Sequence, residues 1–293
     1  MKFKFLNKKK KKPENIIILG SSGIISKNLQ KRFRKNKIKF QSIGRSKLDL
    51  RKVYSIPLLK RKIQKADLVI FISAEAPTKN IKMLKNNLKM CKNICKALRG
   101  KYLSNLVYIS SDAVYSDSKK KITEKSKTKP DSFHGKMHLK REWMLRSNFQ
   151  DKICIIRPTL IYGPGDTHNG YGPNQFLNLA KRKKNISIFG NGEEKRDHIY
   201  IENVISIIME CILKKGRGII NAATGKTYTF KKIALIMNKL LKNDKSIKKI
   251  ERKGPMPHNG YRPFDVKLLK KNFKNIELKN LESGVKNYIL CKS

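Results

Sequence analysis

Five short apolar runs of strand length alternate with longer segments of helical period, and this succession constrains the chain more than any other feature. The runs lie at residues 16–19, 38–43, 68–72, 106–109 and 153–156. Between them stand 24–35, 54–65, 80–98 and 134–149, whose length and apolar spacing predict helices. Strand and helix in strict alternation imply parallel strands joined by helical crossovers, so the expected class is α/β with a doubly wound parallel sheet. After Arg157-Pro158 the pattern loosens into loops at 162–166 and 169–173. Helices at 175–183, 204–213, 231–241 and 281–290 and strands at 186–189 and 219–222 then build a smaller α/β lobe, some of it returning to the main sheet. The expected division is a basic, flexible extension over 1–14, a first domain over 15–157 and a second over 158–293.

The charge calls for care. The chain has 293 residues and a net charge of +48, from 55 Lys and 14 Arg against 21 acidic residues. Lys is spread along the whole length, whereas a nucleic-acid surface concentrates its charge and favours Arg for bidentate contacts. The reading is compositional bias with salt-sensitive, nonspecific attraction for polyanions, and no specific nucleic-acid partner. No apolar run approaches the roughly 20 residues of a membrane span. Five cysteines without paired spacing read as free thiols in a reducing compartment, so a cytoplasmic protein is expected.

The chemistry begins at Gly20-Ser-Ser22-Gly23-Ile24-Ile25-Ser26, directly after the first strand. Glycine there permits a tight turn whose backbone N–H groups face a pyrophosphate at a helix N-terminus, the mark of a Rossmann-type dinucleotide site. The third glycine of the usual spacing is Ser26, which should set the helix slightly farther from the strand. The second strand ends in Gly44-Arg45-Ser46 without the acid that binds ribose hydroxyls. Arg45 therefore leans the choice between NAD and NADP towards NADP, and Asp49-Leu50 follows where an adenine edge is expected.

Several segments in order resemble the extended short-chain dehydrogenase/reductase family, the NAD(P)-dependent epimerase/dehydratases of nucleotide sugars. They are the turn at 16–26, the strand at 67–74, Asn87, Tyr108-Ile-Ser-Ser111-Asp112-Ala-Val-Tyr115, the stretch from Arg157 to Gly165, and that from Phe189 to Asp197. The resemblance implies cofactor contacts at Gly20, Ser22, Gly23, Ile24, Ile25, Arg45, Asp49, Leu50, Ser73, Ala74, Asn87 and Pro158. It also implies a catalytic Ser111, substrate contacts at Asp112, Thr159, Asn174 and Arg196, a nucleoside-diphosphate sugar as substrate, and a homodimer formed through the helices at 80–98 and 134–149. Trp143 and Met144 are then core or dimer contacts.

The family's catalytic Tyr-x-x-x-Lys is missing. In its place stands His134-Gly-Lys-Met-His138, in a register set by Gly135, Leu139 and Glu142. Tyr228/Lys232 and Tyr288/Lys292 have the right spacing but lie far from the serine strand, and Lys is common enough to supply both by chance. A histidine exchanges protons near pH 7 without a lysine's help, so His134 can serve as acid/base and His138 as its partner, with Tyr115 a substitute donor. Two histidines at i and i+4 also suit a metal, but no third ligand accompanies them, and none is expected. The expected activity is hydride transfer at a sugar carbon, as an epimerase or dehydratase. An NADPH-dependent keto-sugar reductase and a non-catalytic dinucleotide-binding member stand as the alternatives.

Overall fold

The computed structural model describes residues 1–63 and 68–291. The last residues of the helix expected to reach Lys65, the first residue of the strand expected from Asp67, and Lys292 lie outside them. The chain forms two compact units, the first made of Met1–Ser116, Ser126–Pro158 and Ile205–Asn221, the second of Asp117–Lys125, Thr159–Val204 and Ala222–Ser293.

In chain order the first unit contains β1 (Lys4–Phe5), β2 (Ile16–Leu19), α1 (Ile24–Lys35), β3 (Gln41–Ile43), α2 (Ser55–Lys62), β4 (Leu68–Phe71), α3 (Ile81–Leu98), β5 (Asn105–Ile109), α4 (Phe133–Phe149) and β6 (Ile153–Pro158). Its seven-stranded sheet runs β1-β10-β6-β5-β4-β2-β3, where β10 is Gly216–Ala222. Strands β2 to β6 are parallel to one another where they pair. β2, β4, β5 and β6 are buried from end to end, as continuous Ile/Leu/Val runs between two helical layers should be. Helix α3 turns Leu84, Cys91, Ile94 and Leu98 towards that sheet at helical spacing, and Asn80 caps its N-terminus by accepting from the Met83 amide at 2.9 Å.

Two expectations change here. Residues 1–14 are not a loose extension, because β1 pairs antiparallel with β10, Lys4 opposite Arg217 and Phe5 opposite Gly216. Phe3 is buried, its ring edge-on to Phe5 at 5.1 Å, and the amides of Leu6, Asn7 and Lys11 donate to the carbonyls of Lys215, Lys214 and Leu213. The lysine run masks two aromatic anchors that precede it. Trp143 is not in the core: it stands 55% exposed on α4, while Met144 is half-buried.

The second unit contains β7 (Leu160–Tyr162), α5 (Pro173–Lys181), β8 (Ile186–Phe189), β9 (Lys195–Tyr200), β11 (Thr227–Thr229), α7 (Phe230–Leu241), β12 (Ile247–Ile250), β13 (Tyr261–Arg262), α8 (Lys267–Asn272) and α9 (Leu281–Leu290); α6 (Ile201–Leu213) starts here and continues in the first unit. β9 pairs with β7, β11 and β13, and β8 with β12. Sequence pattern misses β9 because its Lys-Arg-Asp-His start reads as a solvated loop, yet every residue after Lys195 is buried.

Candidate active site

The carboxyl ends of β2, β4 and β5 gather the first unit's chemistry, as expected for an open parallel sheet. Gly20 follows β2 at φ +114°, and a Cβ there would lie 2.9 Å from the Ser73 amide, so only glycine lets the two turns approach. Ser26 does not hold the helix away. Its hydroxyl donates to the Gly20 carbonyl at 2.6 Å, and Gln30 Nε2 donates to both Ser26 Oγ and the Ser21 carbonyl. These bonds turn the carbonyls of the loop inward. Gly23 caps α1 with no side-chain bond, the first turn carries no acid, and a Cβ on Gly23 would meet nothing within 4 Å. This open helix N-terminus of uncapped amides fits a dinucleotide's pyrophosphate. Ser22 is exposed and Ile24 half-exposed beside it, while Ile25 packs inward.

Around the second strand the placements are mixed. Arg45 is exposed at the end of β3. Asp49 is taken by Arg51, whose Nη2 donates to it at 2.6 Å, and the resulting hydrogen bond holds this carboxyl at about 2. Arg51 also reaches Glu75 at 2.7 Å. Leu50 is buried, its carbonyl accepting from Asn93 Nδ2. Asn87 is likewise buried: its side chain accepts from the Glu75 amide and donates to the Glu75 carbonyl and Thr78 Oγ1. It therefore shapes the loop that follows Ser73 and Ala74, rather than presenting its amide to a ligand. Pro158 ends β6, buried.

Beyond β5, Ser111 is partly exposed, its Oγ accepting from the Ala113 amide at 3.1 Å and donating weakly to Asp112 at 3.4 Å. Gly135 lets the first turn of α4 press onto that segment, since a Cβ there would stand 2.1 Å from the Ala113 carbonyl oxygen. This contact sets His134 beside the Ser111 turn. His134 Nδ1 accepts the Thr78 amide proton at 3.4 Å, and the His134 and His138 rings meet edge-on at 4.7 Å. His138 is buried, its Nδ1 paired with the Tyr108 hydroxyl at 2.7 Å. Burial pushes the pKa of both histidines below the usual value, so both rings are neutral at pH 7. Because a backbone N–H can only donate, the neutral His134 ring carries its proton on Nε2. Tyr115 is no substitute donor: it is buried, with its hydroxyl committed to Asn221 Oδ1 at 2.7 Å.

In the second unit Thr159 Oγ1 donates to Asp197 at 3.2 Å, and Asn174 bridges the Gly163 amide and Asp166. Arg196 is buried on β9, with Glu194 at 3.3 Å. Sequence reasoning found Arg196 but missed Arg262, which β13 places in register beside it, and Arg252, which shares Glu194. Arg262 donates to Asp117, a carboxylate that His258 also touches. Arg196 and Arg252 thus share Glu194, and Arg262 and His258 share Asp117. Among the described residues, no group of three or more His, Cys, Asp or Glu side chains is arranged for a metal ion, and no helix is long and apolar enough to cross a membrane.

A family model described as the NAD dependent epimerase/dehydratase family matches residues 16–223, more than half of the chain. The chain belongs to that family. It is 27% identical over 173 residues to the dTDP-D-glucose 4,6-dehydratase of Dictyostelium discoideum, a match covering 52% of this chain and 39% of the relative. It thus spans about two-fifths of the length of the curated relatives it matches. Among solved structures, a GDP-L-fucose synthetase from Naegleria fowleri superposes with a TM-score of 0.85 at 14% identity, over 98% of this chain and 96% of that one. The ADP-L-glycero-D-manno-heptose-6-epimerase of Helicobacter pylori gives 0.80 at 20% identity, over 95% and 96%. These likenesses establish the Rossmann-type fold, and the family is one of NAD-dependent enzymes acting on nucleotide sugars.

Proposed function

We propose that this family member reduces a carbonyl on the sugar of a nucleoside-diphosphate sugar, with NADH or NADPH held at the Gly20–Gly23 turn. Epimerisation through a keto-sugar is the rival outcome, and its oxidation step would need a free acceptor in place of Nε2–H. The observation that carries the proposal is the Thr78 amide on His134 Nδ1, which leaves Nε2–H as the outward group. A site that abstracts a proton from an alcohol needs a free acceptor, whereas a site that polarises a carbonyl needs a donor.

When bound, the nicotinamide supplies hydride transfer at the sugar carbon. The chain's own residues do the rest. Ser111 Oγ–H has only a weak bond to Asp112 to give up, and with His134 Nε2–H it stabilises the negative charge developing on the sugar oxygen. The proton that completes the alcohol comes from solvent, while Nε2–H stays a hydrogen-bond donor to the oxygen. Arg196 and Arg262, side by side on β9 and β13, support a grip on the diphosphate, and the exposed Arg45 supports a preference for NADPH. Trp143 on α4 supports a homodimer, and four buried free thiols suit a reducing cytoplasm.

The test is spectrophotometric. The full chain, NADPH or NADH, and a nucleoside-diphosphate 4-keto-6-deoxyhexose are mixed at about 150 mM salt, which screens the surface charge. Stoichiometric loss of the reduced nicotinamide absorbance is expected. His134→Ala should lower kcat by about 100-fold or more while leaving the cofactor Kd within about twofold. Unchanged turnover in that variant would sink the proposal. Interconversion of two nucleotide sugars without net cofactor consumption would replace reduction by epimerisation.

A further inference from the structure

Arg141 is fully buried on α4, and among the described residues it has no carboxylate partner. Its Nε and Nη2 donate to the Asn87 carbonyl at 3.0 and 2.8 Å, Nη2 also to Asn87 Oδ1 at 2.9 Å, and Nη1 to the Ser73 carbonyl at 2.8 Å. The guanidinium carbon stands 4.8 Å over the Phe71 ring, and Met90 Sδ is 3.7 Å from Nη2. Isolated burial of a cation is costly, by several kcal/mol even after relaxation. Arg157, one strand away, avoids that cost by pairing with Glu142, which also accepts from Ser110. Arg141 has only neutral acceptors.

Its position is informative. Arg141 follows His134 by seven residues and His138 by three, so all three share one face of α4. Its acceptors are the carbonyls of Ser73, against which Gly20 packs, and of Asn87, which shapes the loop after it. The catalytic segment has lost its lysine at position 138, and a permanent cation has appeared one helical turn further on.

We infer that Arg141 takes over the lysine's place as the fixed charge of this site. It is a positioning residue that clamps the Ser73 and Asn87 carbonyls and sets the electrostatic field at His134 and His138. The inference rests on the reading of His134 in the preceding subsection. Unlike a lysine, Arg141 spends its Nε and Nη2 donors on backbone and Asn87, so it acts on the histidines by its charge and through Tyr108, which it also faces. Other groups face them too: Asp112 pulls His134 towards protonation, and His134 repels a proton on His138. Tyr108 from β5 touches His138 as a neutral phenol, since burial pushes its pKa up. Arg141 is the one permanent cation among these groups.

The test needs no turnover. Ring carbon NMR of the full chain, without cofactor, follows His134 and His138 from pH 5 to 8 in the parent, Arg141→Lys and Arg141→Met proteins. Arg141→Met should raise the His134 midpoint by about half a unit or more, a threefold gain in proton affinity, while Arg141→Lys should leave it near the parent value. If Arg141→Met does not fold, Met90→Glu places a carboxylate against the guanidinium, cancels its charge in place, and should raise the midpoint likewise. A folded Arg141→Met or Met90→Glu protein with an unmoved midpoint overturns the inference. Because these midpoints are read without substrate, failure here is distinct from failure of the His134 reading, which the turnover of His134→Ala decides.

Discussion

His198 offers a quantitative test of the second unit. It lies buried on β9, its ring nitrogens have no well-formed hydrogen bond among the described residues, only the Arg196 backbone nearby, and Phe230 meets the ring edge-on at 5.7 Å. Burial, reinforced by Arg196, pushes its pKa from 6.5 down to about 3. At pH 7.5 the ring is neutral in both folded and unfolded chains, and stability is unaffected. Below pH 6.5 the unfolded chain takes up a proton that the folded chain refuses, so stability falls with pH. At pH 5.0 this amounts to about 2 kcal/mol, at 1.36 kcal/mol per unit of separation. His198→Leu removes the titrating group and two poorly bonded nitrogens at the loss of one ring contact, so at pH 7.5 it should be no less stable than the parent. The assay is urea unfolding of both full-length proteins at pH 7.5 and 5.0. His134, His138 and His258 titrate in both proteins and cancel in the comparison. For a slope of about 2–3 kcal/mol/M, the parent's midpoint should fall by about 0.7–1 M more than the variant's. Equal falls would refute the argument.

Two other perturbations address the first unit. Ser26→Ala removes the hydroxyl bond to Gly20, and should cost about 1–2 kcal/mol and weaken NADH binding severalfold, read by thermal melting and fluorescence titration. Phe3→Asp buries a charge under β1, and should cost about 3 kcal/mol and strip hydrogen-exchange protection from the Leu6, Asn7 and Lys11 amides.

Much of the first unit was legible because period and burial agree there. The runs at 16–19 and 68–71 are apolar on both faces, and nothing but a covered parallel strand suits them. The second unit was less so. Residues 195–200 form a buried strand from charged letters because Asp197 accepts from the Thr224 and Gly225 amides and from Thr159, and such partners come from distant segments that no local pattern reveals. The site divides the same way. The histidine pair and Ser111 stood out by register, but the commitment of Tyr115 to Asn221 and of Asn87 to the Glu75 loop depends on packing. One signal went unused: the buried basic side chains Arg141, Arg157, Arg196, Arg217 and Arg262 are all arginines, in a chain with about four times as many lysines. Arginine matches several acceptors in one plane, which a buried cation needs and lysine cannot provide. In so lysine-rich a sequence, the arginines mark where charge has a structural task.

β1 finds its partner strand about 210 residues further along the chain. Lys4 pairs with Arg217, so the hydrogen-bonding edge of β1 stays vacant until the intervening residues have been made. At ribosomal rates that interval is about 10–40 s, far longer than a local hairpin needs to form. Throughout it, two phenylalanines trail from the nascent chain followed by the run Lys8 to Lys12, whose mutual repulsion discourages premature association. When β10 arrives, β1 pairs with the first two residues of that strand and replaces it as a much shorter edge strand. The lysine run and a short, two-residue edge strand thus both discourage edge-to-edge pairing.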